Sequence, residues 1–262
     1  MKQFLILVLS ISLFSCSSDN DESIKEVTAK FNFTQNWDGT TIEKSDLSNT
    51  EYTNKLGTKL TIKELKYLIS NITLTNGAGE ATTLTELRND EQKAYKLIDV
   101  NNTDDLSFSA QEKLPEGAYN LSMTFGFNND DNYSAIYTDL SNWTVPGDLG
   151  GGYHYMQLEG NFLNKDNEQQ GYTYHTIRAV KKGSDPSLND YKDTFITVNL
   201  GTVLIKNDAT IEIKMNVAEW FKNPNEWDLN TLNSALMGNF DAQDQMFANG
   251  KSGVFSLGTI SQ

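Results

Sequence analysis

Cysteine is nearly missing from this chain. Cys16 stands alone among 262 residues, so neither a disulfide framework nor a cysteine-rich zinc site can be built. Histidine occurs only at positions 154 and 175, which confines imidazole chemistry to two places. Proline occurs four times, and no Pro/Ser-rich linker divides the chain. Basic residues are scarce, with 21 Lys+Arg against 35 Asp+Glu and a formal charge of −14. A surface of that sign repels phosphate backbones, which excludes nucleic acid as a partner. The longest apolar run, Phe4 to Phe14, is too short for a bilayer-spanning helix of roughly 20 residues. What is present is material for a core: 38% apolar residues and 11% aromatics argue against wholesale disorder.

The short apolar run follows Lys2 and ends in Leu13-Phe14-Ser15-Cys16, the pattern of a secretory signal that resembles a bacterial lipobox. Residues 1–15 therefore read as a lipoprotein signal peptide. Cys16 reads as the lipid attachment point, with outer-membrane lipid as its partner. Residues 16–25 form an acidic tether (Ser17-Ser18-Asp19-Asn20-Asp21-Glu22), either a signal for the cell surface or a solvated spacer on the periplasmic face. Losing residues 1–15 removes Lys2 and no acid, so −14 becomes −15.

Residues 26–262 read as one all-β domain, an antiparallel β-sandwich with short helical insertions near the C-terminus. Val27, Ala29, Phe31 and Phe33 keep a period of two, as do Tyr119, Leu121, Met123, Phe125 and Phe127. Lys66 to Thr75 ends at an Asn76-Gly77 turn. A hairpin is expected between Thr194–Ile205 and Thr210–Val217 around Asn207-Asp208. Asp228 is placed to cap a helix carrying Leu229, Leu232, Ala235 and Leu236. A helical turn over 242–248 and a last strand over 254–257 complete the reading.

Few residues carry chemistry. No serine lies in a nucleophile elbow, and Gly150-Gly151-Gly152 lacks the lysine of a phosphate loop. Asn128 to Asn132 resembles a calcium loop only in composition, lacking its glycine and terminal glutamate. Carboxylate pairs for glycoside hydrolysis are not distinguishable among 35 acids. The segment Gly150 to Gly160 is different. As a strand it puts His154, Met156 and Leu158 on one face, and an imidazole beside a thioether suits Cu(I). His175 lies in a second strand-like segment, Tyr172 to Ile177. If the two segments pair with residue numbers summing to 331, His175 faces Met156. A sum of 334 puts His175 opposite Glu159 and about 17 Å from His154.

Several blocks in order resemble the MbnP-like family, named for a periplasmic copper-binding protein associated with methanobactin operons. They are Lys30-Phe-Asn-Phe-Thr-Gln-Asn-Trp-Asp-Gly39, Leu65-Lys-Tyr-Leu-Ile-Ser-Asn-Ile-Thr-Leu74, Leu114-Pro-Glu-Gly-Ala-Tyr119 and Gly152-Tyr-His-Tyr-Met-Gln-Leu-Glu-Gly160, then Tyr174-His175, Met215-Asn-Val-Ala-Glu-Trp-Phe221 and the segment from Ala248 to Phe255. The resemblance implies a β-rich fold and copper held by histidines beside a tryptophan that a dihaem peroxidase oxidises to kynurenine. Gln35 and Lys96 stand where relatives often carry histidine, Gly147 to Gly151 replaces a Trp-x-Trp, and the histidines near the C-terminus are missing. The Gly-Gly-Gly-Tyr-His-Tyr-Met-Gln-Leu-Glu-Gly wording resembles a lipoprotein branch of the family, in which His154, Met156 and His175 are the expected ligands. The function expected is a non-enzymatic, membrane-anchored copper-binding lipoprotein. The alternatives are a glycan- or peptide-binding module using Trp143, Tyr153, Tyr155 and Trp227, or a partner-docking protein that has lost its metal.

Overall fold

The structure, a computed structural model, describes residues 25–134 and 136–262. Cys16, the signal segment and most of the tether lie outside the described residues. Eleven strands carry the architecture: β1 (Ala29–Trp37), β2 (Thr40–Ile42), β3 (Lys59–Asn76), β4 (Tyr95–Asp99), β5 (Ser107–Ser109) and β6 (Gly117–Phe125). After the short helix α1 (Asn129–Ser134) come β7 (Met156–Leu163), β8 (Gln169–Thr176), β9 (Ile196–Ile205), β10 (Ala209–Asn216), helix α2 (Phe240–Gly250) and β11 (Phe255–Ser261).

They form a sandwich of two main sheets. One runs β8-β7-β3-β6-β9, with β4 also on β3; the other runs β5-β1-β10-β11, with β2 on β1. Pairing is antiparallel except between β10 and β1, the one parallel pair among the described residues. The alternation in β1 buries Phe31, Phe33, Gln35 and Trp37 and turns Asn32, Thr34 and Asn36 outward, as a sheet with one covered face requires. Facing residues of both sheets, including Tyr67, Leu121, Leu158, Tyr174, Ile213 and Met215, fill the main core.

The long strand β3 does two jobs. Its residues Leu60 to Tyr67 pair with β7, and Ile69 to Asn76 pair with β6. Leu68 sits at the junction, donating to the Tyr155 carbonyl at 2.8 Å and accepting from the Gly126 amide at 2.8 Å. By the period of two, Leu68 faces away from the main core that holds Tyr67 and Ile69. There it joins a second apolar cluster with Tyr95, Phe127, Leu140, Trp143 and Tyr153. The segment 137–153 is thereby packed against the outer face of the large sheet.

Two expectations are corrected. The segments 194–205 and 210–217 are not a hairpin: β9 pairs with β6 in one sheet, and β10 pairs with β1 and β11 in the other. Alternation reports which face a strand buries and is silent about which strand it joins. No helix begins at Asp228. The side chains of Asp228 and Thr231 bond back to nearby backbone, and Trp227 Nε1 donates to the Leu232 carbonyl at 2.9 Å. These local bonds compete with helix and hold a turn. The helical turn expected over 242–248 lies inside the longer α2, capped by Asn239.

Candidate metal site

β7 and β8 form a hairpin whose paired residue numbers sum to 332, with Met156 opposite Thr176 and Gln157 opposite His175. Neither expected register occurs. The reason lies in the turn: Asn164 donates to the Glu168 carbonyl at 2.9 Å, and Asn167 adopts φ 60°. An odd loop closed by a left-handed residue sets this even sum.

The register puts His175 on the outward face with Gln157 and Glu159, while Met156, Leu158, Tyr174 and Thr176 are buried on the inward face. Met156 has no exposed surface and belongs to the main core. It therefore does not join His175. Met156→Ala is expected to lower the unfolding free energy by about 2–5 kcal/mol and to leave copper stoichiometry unchanged. Urea denaturation alongside a copper titration checks both.

His154 reaches the outward face by a break in the alternation. Tyr155 and Met156 are consecutive, yet both lie in the main core, so the residue before them is turned to the other side. The stretch is fastened from three directions. Tyr155 N–H donates to the Thr176 carbonyl at 2.8 Å, while His154 N–H donates to the Trp143 carbonyl at 3.0 Å. Trp143 Nε1–H returns a bond to the His154 carbonyl at 2.6 Å. Asn132 accepts from Tyr153 N–H at 2.8 Å and donates to the Tyr155 hydroxyl at 3.0 Å. Gly152 makes that approach possible: at φ +78° a Cβ there would sit 2.3 Å from the Asn132 carbonyl oxygen. Asn132 is thus a buried structural amide, and the Asn-rich segment supplies the start of α1.

The two imidazoles meet edge to face, with ring centroids 5.4 Å apart. The Trp143 indole lies 5.5 Å from His154, ring centre to ring centre. Each imidazole has one nitrogen committed. A carbonyl oxygen can only accept, so His154 Nδ1–H donates to Trp143 O at 3.1 Å. A carboxylate likewise accepts, so His175 Nε2–H donates to Glu159 at 2.8 Å. These bonds fix the tautomer that each ring has in its neutral form, in which His154 Nε2 and His175 Nδ1 carry the lone pair, the arrangement in which outer partners orient metal ligands. Two imidazoles sharing an ion at about 2.0 Å place their ring centres at most about 6 Å apart; the observed separation satisfies that limit. Burial pushes the His154 pKa down to about 4, so this ring is neutral at neutral pH. Among the described residues no third His, Cys, Asp or Glu completes a three-residue group.

Sequence reading missed Glu159, although its place two residues beyond Gln157 makes it a diagonal neighbour of His175 once the register is known. It also missed Gln243 on α2, which accepts from Ile177 N–H at 2.9 Å and donates to the His175 carbonyl at 2.8 Å. The four aromatics considered as a ligand platform are all interior: Trp143 is 5% exposed, and Tyr153, Tyr155 and Trp227 are fully buried. They hold the core and present no surface to a glycan. Gln35 donates to the Tyr67 hydroxyl at 2.9 Å, and Lys96 pairs with Glu86 at 3.0 Å. Both side chains are committed to internal bonds.

The sequence profile of the MbnP family matches residues 26–238. The chain belongs to the MbnP family. Among solved structures it is similar to MbnP from Methylosinus trichosporium, with a TM-score of 0.56 over 90% of this chain and 99% of that one. Identity between the two is 13%, so what they share is the MbnP fold. No curated protein matches the chain. The MbnP profile spans β1 to β10 and includes the hairpin that carries both histidines.

Proposed function

We propose that this protein is a non-enzymatic lipoprotein of the outer membrane, anchored through Cys16, that binds copper between His154 and His175. The observation that carries this reading is the pairing of the chain's only two histidines at 5.4 Å, each with one nitrogen held by an outer partner. Membership in a family named for a methanobactin-associated protein supplies the copper context. Two imidazoles, one buried and one 13% exposed at its side chain, suit a soft cation that accepts low coordination, which favours Cu(I). Copper held there would be cargo or a stored ion. The dihaem peroxidase implied by the family resemblance remains part of the proposal, with Trp143 beside His154 as the tryptophan it would modify.

Titration with Cu(I) against a chromophoric chelator tests the site. The wild type is expected to hold one copper per chain, and His154→Ala and His175→Ala to lose it. Equal stoichiometry in all three proteins would sink the proposal. The anchor has its own test: Cys16→Ser is expected to move the protein from the membrane fraction to the soluble one, and retention in the membrane would contradict lipidation at this residue.

A further inference from the structure

Beside β1 lies a cavity that the copper reading does not use. β10 runs along one edge of β1, so β5 and β2 share the other. Ser107 lies opposite Asn32, and the same register sets Leu106 opposite Phe33. Ile42 lies opposite Gln35. Residues directly opposite share a face, so Leu106 and Ile42 turn inward with Phe33 and Gln35, which are buried on that face. Where β5 and β2 part, these four side chains border a cavity of about 700 Å³.

Three of the four are hydrocarbon, and the fourth is an amide. Gln35 is 3% exposed, and its Nε2 donates to the Tyr67 hydroxyl. That bond uses one end of the amide. Gln35 Oε1 has no hydrogen-bond partner among the described residues. Yet it is not sealed from solvent as the unpartnered Tyr52 hydroxyl and Trp220 Nε1 are. Its accessible surface therefore lies in the cavity that Gln35 lines. A carbonyl so placed gains from an entering donor. The cavity's size is within the range of small-ligand sites. At its rim the exposed Glu43 and Lys44 carry opposite charges, so charge selects neither an anion nor a cation. A charged head beside Phe33, Ile42 and Leu106 would lose its hydration without a buried counter-charge. A hydroxyl donates one proton and brings little further polar surface to desolvate.

We propose that this cavity binds a small, uncharged, apolar molecule carrying one hydroxyl, such as a phenol, whose O–H donates to Gln35 Oε1. The hydrocarbon walls supply affinity by burial. The amide, held at its other end by the fully buried Tyr67, sets the ligand's orientation.

The test uses residues 16–262 with Cys16→Ser and the probe 2-naphthol, followed by NMR of backbone and side-chain amides. Saturable shifts are expected at Phe33, Ile42 and Leu106 and at the Gln35 side-chain amide. 2-Methoxynaphthalene keeps the rings and the oxygen but has no proton to donate, and it should bind about 5–100-fold more weakly. Gln35→Leu removes the acceptor and keeps an apolar wall, so it should bring the two affinities together. The two probes are compared first on the unaltered cavity, which decides the matter even where that variant folds poorly. No shift at the Gln35 amide up to the solubility limit of 2-naphthol, equal affinity for the two probes, or a preference that survives Gln35→Leu overturns the proposal.

Discussion

Gly160→Ala is expected to destabilise the domain by at least about 3 kcal/mol, the largest effect of any single methyl in the β7–β8 hairpin. A Cβ at Gly160 would lie 1.9 Å from the Thr61 carbonyl oxygen and 2.8 Å from the Tyr172 ring. Neither obstacle can retreat. Thr61 is a backbone group of β3, and the Tyr172 ring is 2% exposed with its hydroxyl bonded to that same carbonyl at 3.2 Å. The close approach coincides with a shift in the β7–β3 ladder between Glu159 and Gly160, the kind of irregularity that re-aims neighbouring side chains. Gly171, on the facing strand, is the control, because a Cβ there meets nothing nearer than 3.9 Å. Gly171→Ala should stay within about 0.5 kcal/mol of wild type. Urea denaturation of the chain lacking residues 1–16 measures both. Equal midpoints for the two variants would refute the steric account. Copper affinity should fall with Gly160→Ala as well, since Glu159 orients His175.

Acid should destabilise the protein through His154 before most carboxylates titrate. Burial lowers its folded pKa to about 4 from 6.5. Above pH 6.5 the ring is neutral in the folded and the unfolded chain, so its titration costs nothing. As pH falls from 6.5 towards 4, the unfolded chain takes up a proton that the folded chain refuses. Stability is therefore lost across that window, by about 3 kcal/mol at about 1.4 kcal/mol per pKa unit. Below pH 4 the loss from this residue stops growing. His154→Gln removes the titration, so the gap between wild type and variant should narrow as pH falls from 7 to 4. A gap that stays constant across that range would show that His154 is not held neutral by burial. The same refusal of a proton keeps its Nε2 open to a cation in mildly acidic solution.

Periodicity located the strands that bury one face well. Phe31 and Phe33, Tyr119 through Phe125, and Ile211 through Met215 are inward where alternation places them. It misplaced partners. The segment 194–205 joins β6, more than seventy residues earlier, because pairing is settled by which surfaces meet in the sandwich. Local chemistry was also misjudged around Asp228, where short polar side chains that suit a cap serve a turn equally well. Aromatics were legible as abundant and illegible as to place: Trp227, packed 4.6 Å from Tyr174, is core.

The sequence by itself determined a single β-rich domain of the MbnP family, a chain with two candidate imidazole ligands, and the two strand segments that carry them. Only the tertiary structure decided that the imidazoles meet. A one-residue slip in a β-ladder exchanges the faces of every side chain, so register outweighs composition here. That register depends on the loop at Asn164–Asn167, on the break between Tyr155 and Met156, and on bonds from Trp143, Asn132 and Gln243, residues up to 89 positions from His154. Such contacts are made by packing across the sheet and leave no mark in local spacing.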